Sequence, residues 1–187
     1  MRISIKDNTR KYTMANKKFI LDGTISWAKV FPENMDKADF HMQKGGGAYT
    51  CNFYFNPETE EDDIAKIKDA GMPDAQLGYP VFRKDDTGTF LKLKRMHKGP
   101  FVNDDGVDVF GGPPKIYDHT DGPSAKAWEW NDGEGELGNG TEVKVILEYW
   151  ETKRGRGLRL LEIAVVKQEV YEGGHSGDDD ATFSLAG

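Results

Sequence analysis

The stretch that decides the fold is Leu137–Tyr171, which reads LGNGTEVKVILEYWETKRGRGLRLLEIAVVKQEVY. Thr141–Trp150 alternates apolar and polar residues as a half-buried strand does. The glycines and cations of Glu151–Gly157 predict a basic turn, and Leu158–Tyr171 returns as a second, largely apolar strand. We therefore predict one long β-hairpin towards the end of the chain.

The segment that follows this hairpin has almost nothing to bury. Glu172–Asp180 reads EGGHSGDDD, and so polar and glycine-rich a composition cannot offset the entropy cost of folding. We predict a flexible acidic tail over residues 173–187 and a flexible basic N-terminus over residues 1–16. A β core with an anionic tail is typical of a protein that handles a polyanion, because such a tail can compete with the polyanion or recruit partners.

Length and composition fit one domain, over residues 17–172, between these two ends. The 187 residues are 37% hydrophobic, which allows one modest core, and 22 glycines with 8 prolines predict many turns between short strands. No apolar run approaches the roughly 20 residues of a membrane-spanning helix, and the N-terminus lacks the apolar core of a secretory signal. Because Cys51 is the single cysteine, we expect a reduced, cytoplasmic compartment and no membrane association.

Charge is distributed unevenly along the chain. The formal net charge is −7, yet residues 1–30 carry seven cations against two anions, and residues 81–100 carry six against two. A polyanion responds to the local field over a surface patch and not to the whole-chain sum. The acidic total therefore does not exclude nucleic acid as a ligand.

Four segments before the hairpin carry clear secondary-structure signals. Phe19–Phe31, Ala48–Phe55 and Thr89–Arg95 are rich in β-branched and aromatic residues and predict strands. Glu58–Gly71 predicts the one short helix, because acids fill its first turn and a glycine ends it. Pro32–Gly47 predicts a loop. These elements and the long Gly-rich loops favour a mainly β fold, a small, partly open barrel of five or six strands, with a β-sandwich as the alternative.

The sharpest signal for a binding surface is TFLKLKR at Thr89–Arg95. Strand alternation puts Phe90, Lys92 and Lys94 on one face. An aromatic ring beside two lysines on an exposed strand can stack on a nucleobase while the ammonium groups neutralise phosphates. The alternative is a half-buried strand whose solvent face is rich in lysine.

Other aromatic and basic residues are expected to face outward where they occur beside charge. Alternation over the first predicted strand puts Trp27 and Lys29 on one face, together with Ile25. Glycines in the basic turn would let its arginines reach phosphates, with an ordinary solvated turn as the alternative. The full set expected to contact a polyanion is Trp27, Lys29, Tyr54, Phe90, Lys92, Lys94, Trp150, Arg154 and Arg156.

Catalytic patterns are missing from the sequence. The four histidines are spread over predicted loops, without metal-binding spacing or a cysteine pair beside them. The triple glycine Gly45–Gly47 lacks the Lys-Ser/Thr of a phosphate-binding loop. Asn103–Asp108 matches part of a calcium loop without the glutamate that completes one. We therefore expect no enzymatic activity, no cofactor and no metal.

An ordered series of segments runs along most of the chain. The series starts with GTISWAKVF at Gly23–Phe31, continues with GAYTCNFYFN at Gly47–Asn56 and an acidic helix, and passes through the basic strand at Phe90–Arg95. Its most specific part is GNGTEVKV at Gly138–Val145, followed by GRGLRL at Gly155–Leu160. This series resembles the OB-fold single-stranded DNA-binding proteins of tailed bacteriophages, and the resemblance covers roughly residues 17–172.

The resemblance implies a five-stranded OB-fold barrel that binds single-stranded DNA without sequence preference during phage DNA replication or recombination. It also implies an acidic tail that contacts replication proteins such as the polymerase and the primase-helicase, with a homodimer as an open option. The tail residues concerned would be Asp178, Asp179, Asp180 and Phe183. Two departures are the short tail, which ends SLAG, and the long acidic loop at residues 99–136.

Two other classes of function compete with DNA binding. A structural or protein-interaction β-barrel or sandwich protein of a phage particle would use the aromatic residues as core and would bind no oligonucleotide. An enzyme built on a β-sandwich is the third hypothesis, although no catalytic pattern supports it.

Overall fold

The computed structural model describes residues 17–100, 102–131 and 133–170. The predicted flexible ends, residues 1–16 and 173–187, lie outside the described residues. The strands are β1 (Lys17–Lys29), β2 (Ala48–Phe55), β3 (Ala75–Gln76), β4 (Tyr79–Pro80), β5 (Arg83–Lys84), β6 (Thr89–Met96), β7 (Lys115–Asp118), β8 (Thr141–Thr152) and β9 (Gly155–Lys167), and the helices are α1 (Asp39–Gly45) and α2 (Glu60–Ala70).

One twisted sheet organises the described part of the chain. Its seven strands run in the order β5-β6-β2-β1-β8-β9-β7, while β3 and β4 pair separately as a small hairpin. All neighbours in the large sheet are antiparallel except β7 and β9, which are parallel. The five long strands are contiguous, and the short β5 and β7 only extend the two edges. The mainly β, OB-like fold predicted from the sequence is confirmed.

The sheet is not closed into a barrel by a continuous strand ladder, in agreement with the partly open barrel predicted from the sequence. Within the described residues, β6 and β9 approach each other without pairing. Arg95 of β6 bridges this gap, because its guanidinium donates hydrogen bonds to the carbonyls of Leu160 in β9 (3.3 Å), Gly111 (3.0 Å) and Gly112 (2.7 Å). Side-chain hydrogen bonds thus replace backbone pairing at the point of closure.

The carboxylate of Asp108 fixes the loop whose carbonyls accept hydrogen bonds from Arg95. Asp108 accepts hydrogen bonds from the backbone N–H groups of Gly99 (2.7 Å), Gly111 (2.7 Å) and Phe110 (3.0 Å). These N–H bonds, with a smaller contribution from nearby Arg95, hold the pKa of Asp108 below its usual range. The loop therefore keeps its shape beside the guanidinium and presents fixed carbonyls to it.

The core lies on the inner faces of the long strands. Alternation predicted for the β2 and β6 segments and for the final hairpin agrees with the full burial of Phe53, Leu91, Leu147 and Ile163. Helix α2 adds Ile67, and Gly71 follows that helix at a φ of 133°, a backbone region that favours glycine. The helix predicted over Glu58–Gly71 is confirmed.

Helix α1 was not anticipated from the sequence, which predicted only a loop between β1 and β2. The helix has seven residues, one of them a glycine, and so short a segment has little intrinsic helical stability. Contacts with the sheet hold it in place: Lys98 N donates to Gly45 O (2.9 Å), and Asp36 and Ala48 exchange backbone hydrogen bonds of 2.8 and 2.9 Å. The helix therefore depends on tertiary contacts that local patterns do not encode.

Replacing Arg95 with lysine is expected to lower the free energy of unfolding by about 2–4 kcal/mol, because an ammonium group cannot span several carbonyls held by one guanidinium. Urea unfolding followed by circular dichroism measures the change. Lys92→Ala, an exposed position on the same strand, serves as the control and should shift stability by less than about 0.5 kcal/mol. An Arg95→Lys protein as stable as the wild type would contradict this account of closure.

Candidate nucleic-acid interface

Three exposed lysines lie on the outer face of β1, β2 and β6, which we call the lysine face. The register places Lys29 opposite Thr50, which pairs in turn with Lys94. One row further along, Asn52 of β2 pairs with Lys92. Paired residues on neighbouring antiparallel strands share a face, and all three lysines are exposed. The structure thus brings together three of the predicted site residues.

Trp27 lies beside the lysine face because the strand bulges there. Between Ser26 and Lys29 the register with β2 shifts by one residue, and Trp27 adopts a φ of 55°. The bulge turns the indole outward, where it is 65% exposed, and buries the next residue, Ala28. Strict alternation, which would put Trp27 on the same face as the buried Ile25, is therefore wrong, although the outward position of Trp27 agrees with the expectation.

The loop before β8 holds this bulge. Asn139 Oδ1 accepts a hydrogen bond from Trp27 N (2.7 Å), and Gly140 N donates to Ile25 O (2.9 Å). The loop is fixed in turn by the fully buried Thr141, whose hydroxyl donates to Gly138 O (2.8 Å). The loop Leu137–Thr141, which contains the start of the specific GNGTEVKV segment, therefore orients the exposed indole. Asn139 is a residue of the site that sequence reasoning missed.

Tyr54 and Phe90 lie on the same side of β2 and β6 as the lysine face, as alternation predicted, but they are buried there and not exposed. They pair across β2 and β6 with ring centroids 5.0 Å apart and are 6% and 9% exposed. The turn after β5 folds over them, since Tyr54 donates its hydroxyl hydrogen to Asp85 Oδ2 (2.6 Å). Burial and this bond raise the pKa of Tyr54 to about 12. The pair supports the outer face from one end and is not free to stack on a base.

The basic hairpin tip lies away from the lysine face. Tyr149 of β8 pairs with Lys17, so the tip projects beyond the first residue of β1, whereas Lys29 is the last. Arg156 Nη1 donates to Gly71 O (3.0 Å), which docks the tip against the end of α2. Trp150 is half-buried, and its ring packs so closely over Gly157 that a Cβ there would lie 2.9 Å from the indole.

Some residues predicted to bind DNA at the hairpin tip therefore have structural contacts, and one is exposed. Arg156 and Trp150 have structural contacts that account for their positions, and Arg154 is exposed. The structure does not bring these residues together with Trp27, Lys29, Lys92 and Lys94. The expected tail residues Asp178, Asp179, Asp180 and Phe183 lie outside the described residues.

Helix α1 brings a further cation to one edge of the lysine face. Burial lowers the pKa of His41, and the charges of Lys94 and Lys44 lower it further, while Asp36 opposes them. Lys44 is exposed in the last turn of the helix. Lys44 was not identified from the sequence, because it falls in the segment predicted as a loop.

No group of three or more histidine, cysteine, aspartate or glutamate side chains in the described part of the chain is arranged to hold a metal ion. Among the helices within the described residues, none is long and apolar enough to cross a membrane.

Comparisons with known proteins place this fold. No family model matches the sequence, and no curated protein sequence matches it. The single-stranded DNA-binding protein from bacteriophage Enc34, solved in complex with ssDNA, is similar in structure with a TM-score of 0.54 at 12% identity, over 83% of this chain and 88% of that chain.

A second solved structure gives the same result. gp2.5, a single-stranded DNA-binding protein encoded by bacteriophage T7, has a TM-score of 0.51 at 20% identity, over 88% of this chain and 94% of that chain. At identities this low the likeness establishes the fold and not the ligand. The chain has the fold found in these bacteriophage single-stranded DNA-binding proteins, as its sequence resemblance predicted.

Proposed function

We propose that this protein binds single-stranded DNA through the lysine face and Trp27. The observation that carries the proposal is a 65% exposed indole, held outward by a strained bulge. It lies on the same strand as the exposed Lys29, and the exposed Lys92 and Lys94 are two strands away on the same sheet. A left-handed φ costs a non-glycine residue roughly 1–2 kcal/mol, so folding alone would favour glycine at this position. Strain of this kind is common where a side chain serves binding.

The chemistry of the surface suits a single strand better than a duplex. An exposed indole can stack on an unpaired base, while ammonium groups neutralise the adjacent phosphates. In a duplex the base faces are already stacked on one another and cannot reach the indole. Stacking combined with phosphate contacts tolerates every base, so the proposed binding has no sequence preference. The structural likeness to a protein solved in complex with ssDNA supports the same function.

The wider role that we propose is coating and protection of single-stranded DNA during phage DNA replication or recombination, as a binding protein and not an enzyme. Such a protein would act in the cytoplasm of the host. We further propose that the acidic residues near the C-terminus contact replication proteins, such as the polymerase and the primase-helicase, and that the chain acts as a single DNA-binding domain over residues 17–172, with a homodimer as an option.

The double substitution Lys92→Ala/Lys94→Ala tests the proposed face. Each lysine–phosphate ion pair that is lost should reduce the slope of log affinity against log salt by roughly 0.7 for a single strand, so the double variant should lose about 1.4. Titration of fluorescent oligo(dT) at several salt concentrations gives this slope. The matched control, Lys66→Ala/Lys115→Ala, removes the same charge from exposed positions on α2 and β7.

We expect the control to retain the wild-type slope. An unchanged slope for the Lys92/Lys94 variant would remove both residues from the interface. A wild-type protein that binds neither oligo(dT) nor matched duplex would reject the proposed function in favour of a structural β-protein.

Trp27→Gly separates binding from folding. Glycine adopts a φ of 55° without steric cost, so thermal stability should be unchanged or higher. Loss of stacking, worth about 1–3 kcal/mol per base, should weaken oligo(dT) binding at least about fivefold. Trp150→Phe, at the hairpin tip, is the control and should bind like the wild type. Wild-type affinity in Trp27→Gly would show that the exposed indole does not contact DNA.

Asn139→Ala tests whether the loop before β8 positions Trp27. Its carboxamide oxygen is occupied by Trp27 N, so any effect on DNA affinity should act through the indole. We expect the substitution to weaken binding in the wild-type background and to have no further effect in Trp27→Gly, as a double-mutant cycle can measure. Equal losses in both backgrounds would mean that Asn139 affects binding independently of Trp27.

A further inference from the structure

The C-terminal end of helix α1 packs against Met96, the last residue of β6, next to the lysine face. Gly45 packs so closely on Met96 that a Cβ at this glycine would lie 2.7 Å from Met96 Cε. Met96 follows Lys94 by two residues along β6 and so points to the same side of the strand. The backbone bonds from Lys98 to Gly45 and between Asp36 and Ala48 anchor the helix at both ends. Its position relative to Lys94 is therefore fixed.

The buried side of α1 consists of His41 and Gly45, which lie one helical turn apart. His41 is 5% exposed, and its Nε2 lies 3.6 Å from Asp36 Oδ2. Burial lowers the pKa of His41, with Lys94 and Lys44 adding to the effect and Asp36 opposing it. The imidazole of His41 is therefore largely neutral at pH 7, and its ring packs on the buried side of the helix.

Phe40 lies directly against this packed ring yet remains in solvent. The ring centroids of Phe40 and His41 are 3.8 Å apart at 45°, and Phe40 is 57% exposed. An aromatic residue needed only for folding would cover its ring with protein, because burial of that area stabilises the fold. Phe40 instead presents its ring to solvent, on the helix that also carries the exposed Lys44.

We propose that Phe40 is a second base-stacking residue, and that single-stranded DNA passes from Trp27 over the lysine face to α1. This inference rests on the proposed function and extends it to a helix with no assigned role. The arrangement repeats the chemistry at Trp27, since an exposed ring stacks on a base while adjacent cations bind the flanking phosphates. The two rings would each hold a base beside the lysine face.

The experiment compares Phe40→Ala, Phe40→Leu and Phe40→Trp in the full chain, with oligo(dT) as the probe and thermal unfolding as the check on folding. Stacking predicts that the alanine and leucine proteins lose affinity at least about fivefold, from the lower end of the stacking energy of about 1–3 kcal/mol, and that the tryptophan protein keeps it. Leucine retains apolar bulk without an aromatic face, so it separates stacking from general apolar contact. Met42→Ala, an exposed residue of the same helix, is the matched control and should bind like the wild type.

Three results would overturn the inference. Wild-type affinity in Phe40→Ala would show that DNA does not reach α1. Full affinity in Phe40→Leu would show apolar contact without stacking, and an equal loss in Met42→Ala would show a disturbed helix. If the wild type itself fails to bind oligo(dT), the proposed function fails together with this inference, whereas a binding wild type with an unaffected Phe40→Ala rejects the role of α1 alone.

Discussion

The contact between the Arg95 guanidinium and the carbonyls of Gly111, Gly112 and Leu160 is the interaction on which the rest of the structure depends. It joins β6 to β9 where no strand ladder does so within the described residues. It also sets the orientation of β6, because alternate residues of a strand point to opposite faces. With Arg95 directed inward, Lys92 and Lys94 must point outward. The orientation of β6 therefore determines both the closure of the sheet and the proposed binding surface.

A second constraint acts at Trp27. Ile25 and Ala28 are both buried in the core. Strict alternation starting from the buried Ile25 would bury the Trp27 indole and would leave Ala28 outside. The bulge resolves this conflict at the cost of a left-handed φ, which the loop before β8 compensates through Asn139 and Gly140. The same loop leads into the β8–β9 hairpin, which supplies two of the seven strands of the sheet. Fold and candidate site are therefore coupled through one short segment.

The sequence predicted the elements whose signals are local. The long strands, helix α2 and the final hairpin follow from alternation and capping residues, and the outward lysines of β6 follow from period-2 geometry. The burial of Tyr54 and Phe90 was not predictable, because it depends on a turn that folds back through Asp85. Helix α1 was missed since distant backbone groups hold it, and the docking of Arg156 at Gly71 joins segments far apart in the chain.

The most direct test of the central claim is photocross-linking of the protein to an oligo(dT) that carries 5-iododeoxyuridine, followed by mass spectrometry of the linked peptides. This halogenated base reacts with aromatic side chains on which it stacks, so the linked residue reports the DNA path. The account predicts linkage at Trp27 on the lysine face. Linkage at Trp150 on the hairpin tip, with Trp27 unmodified, would contradict it.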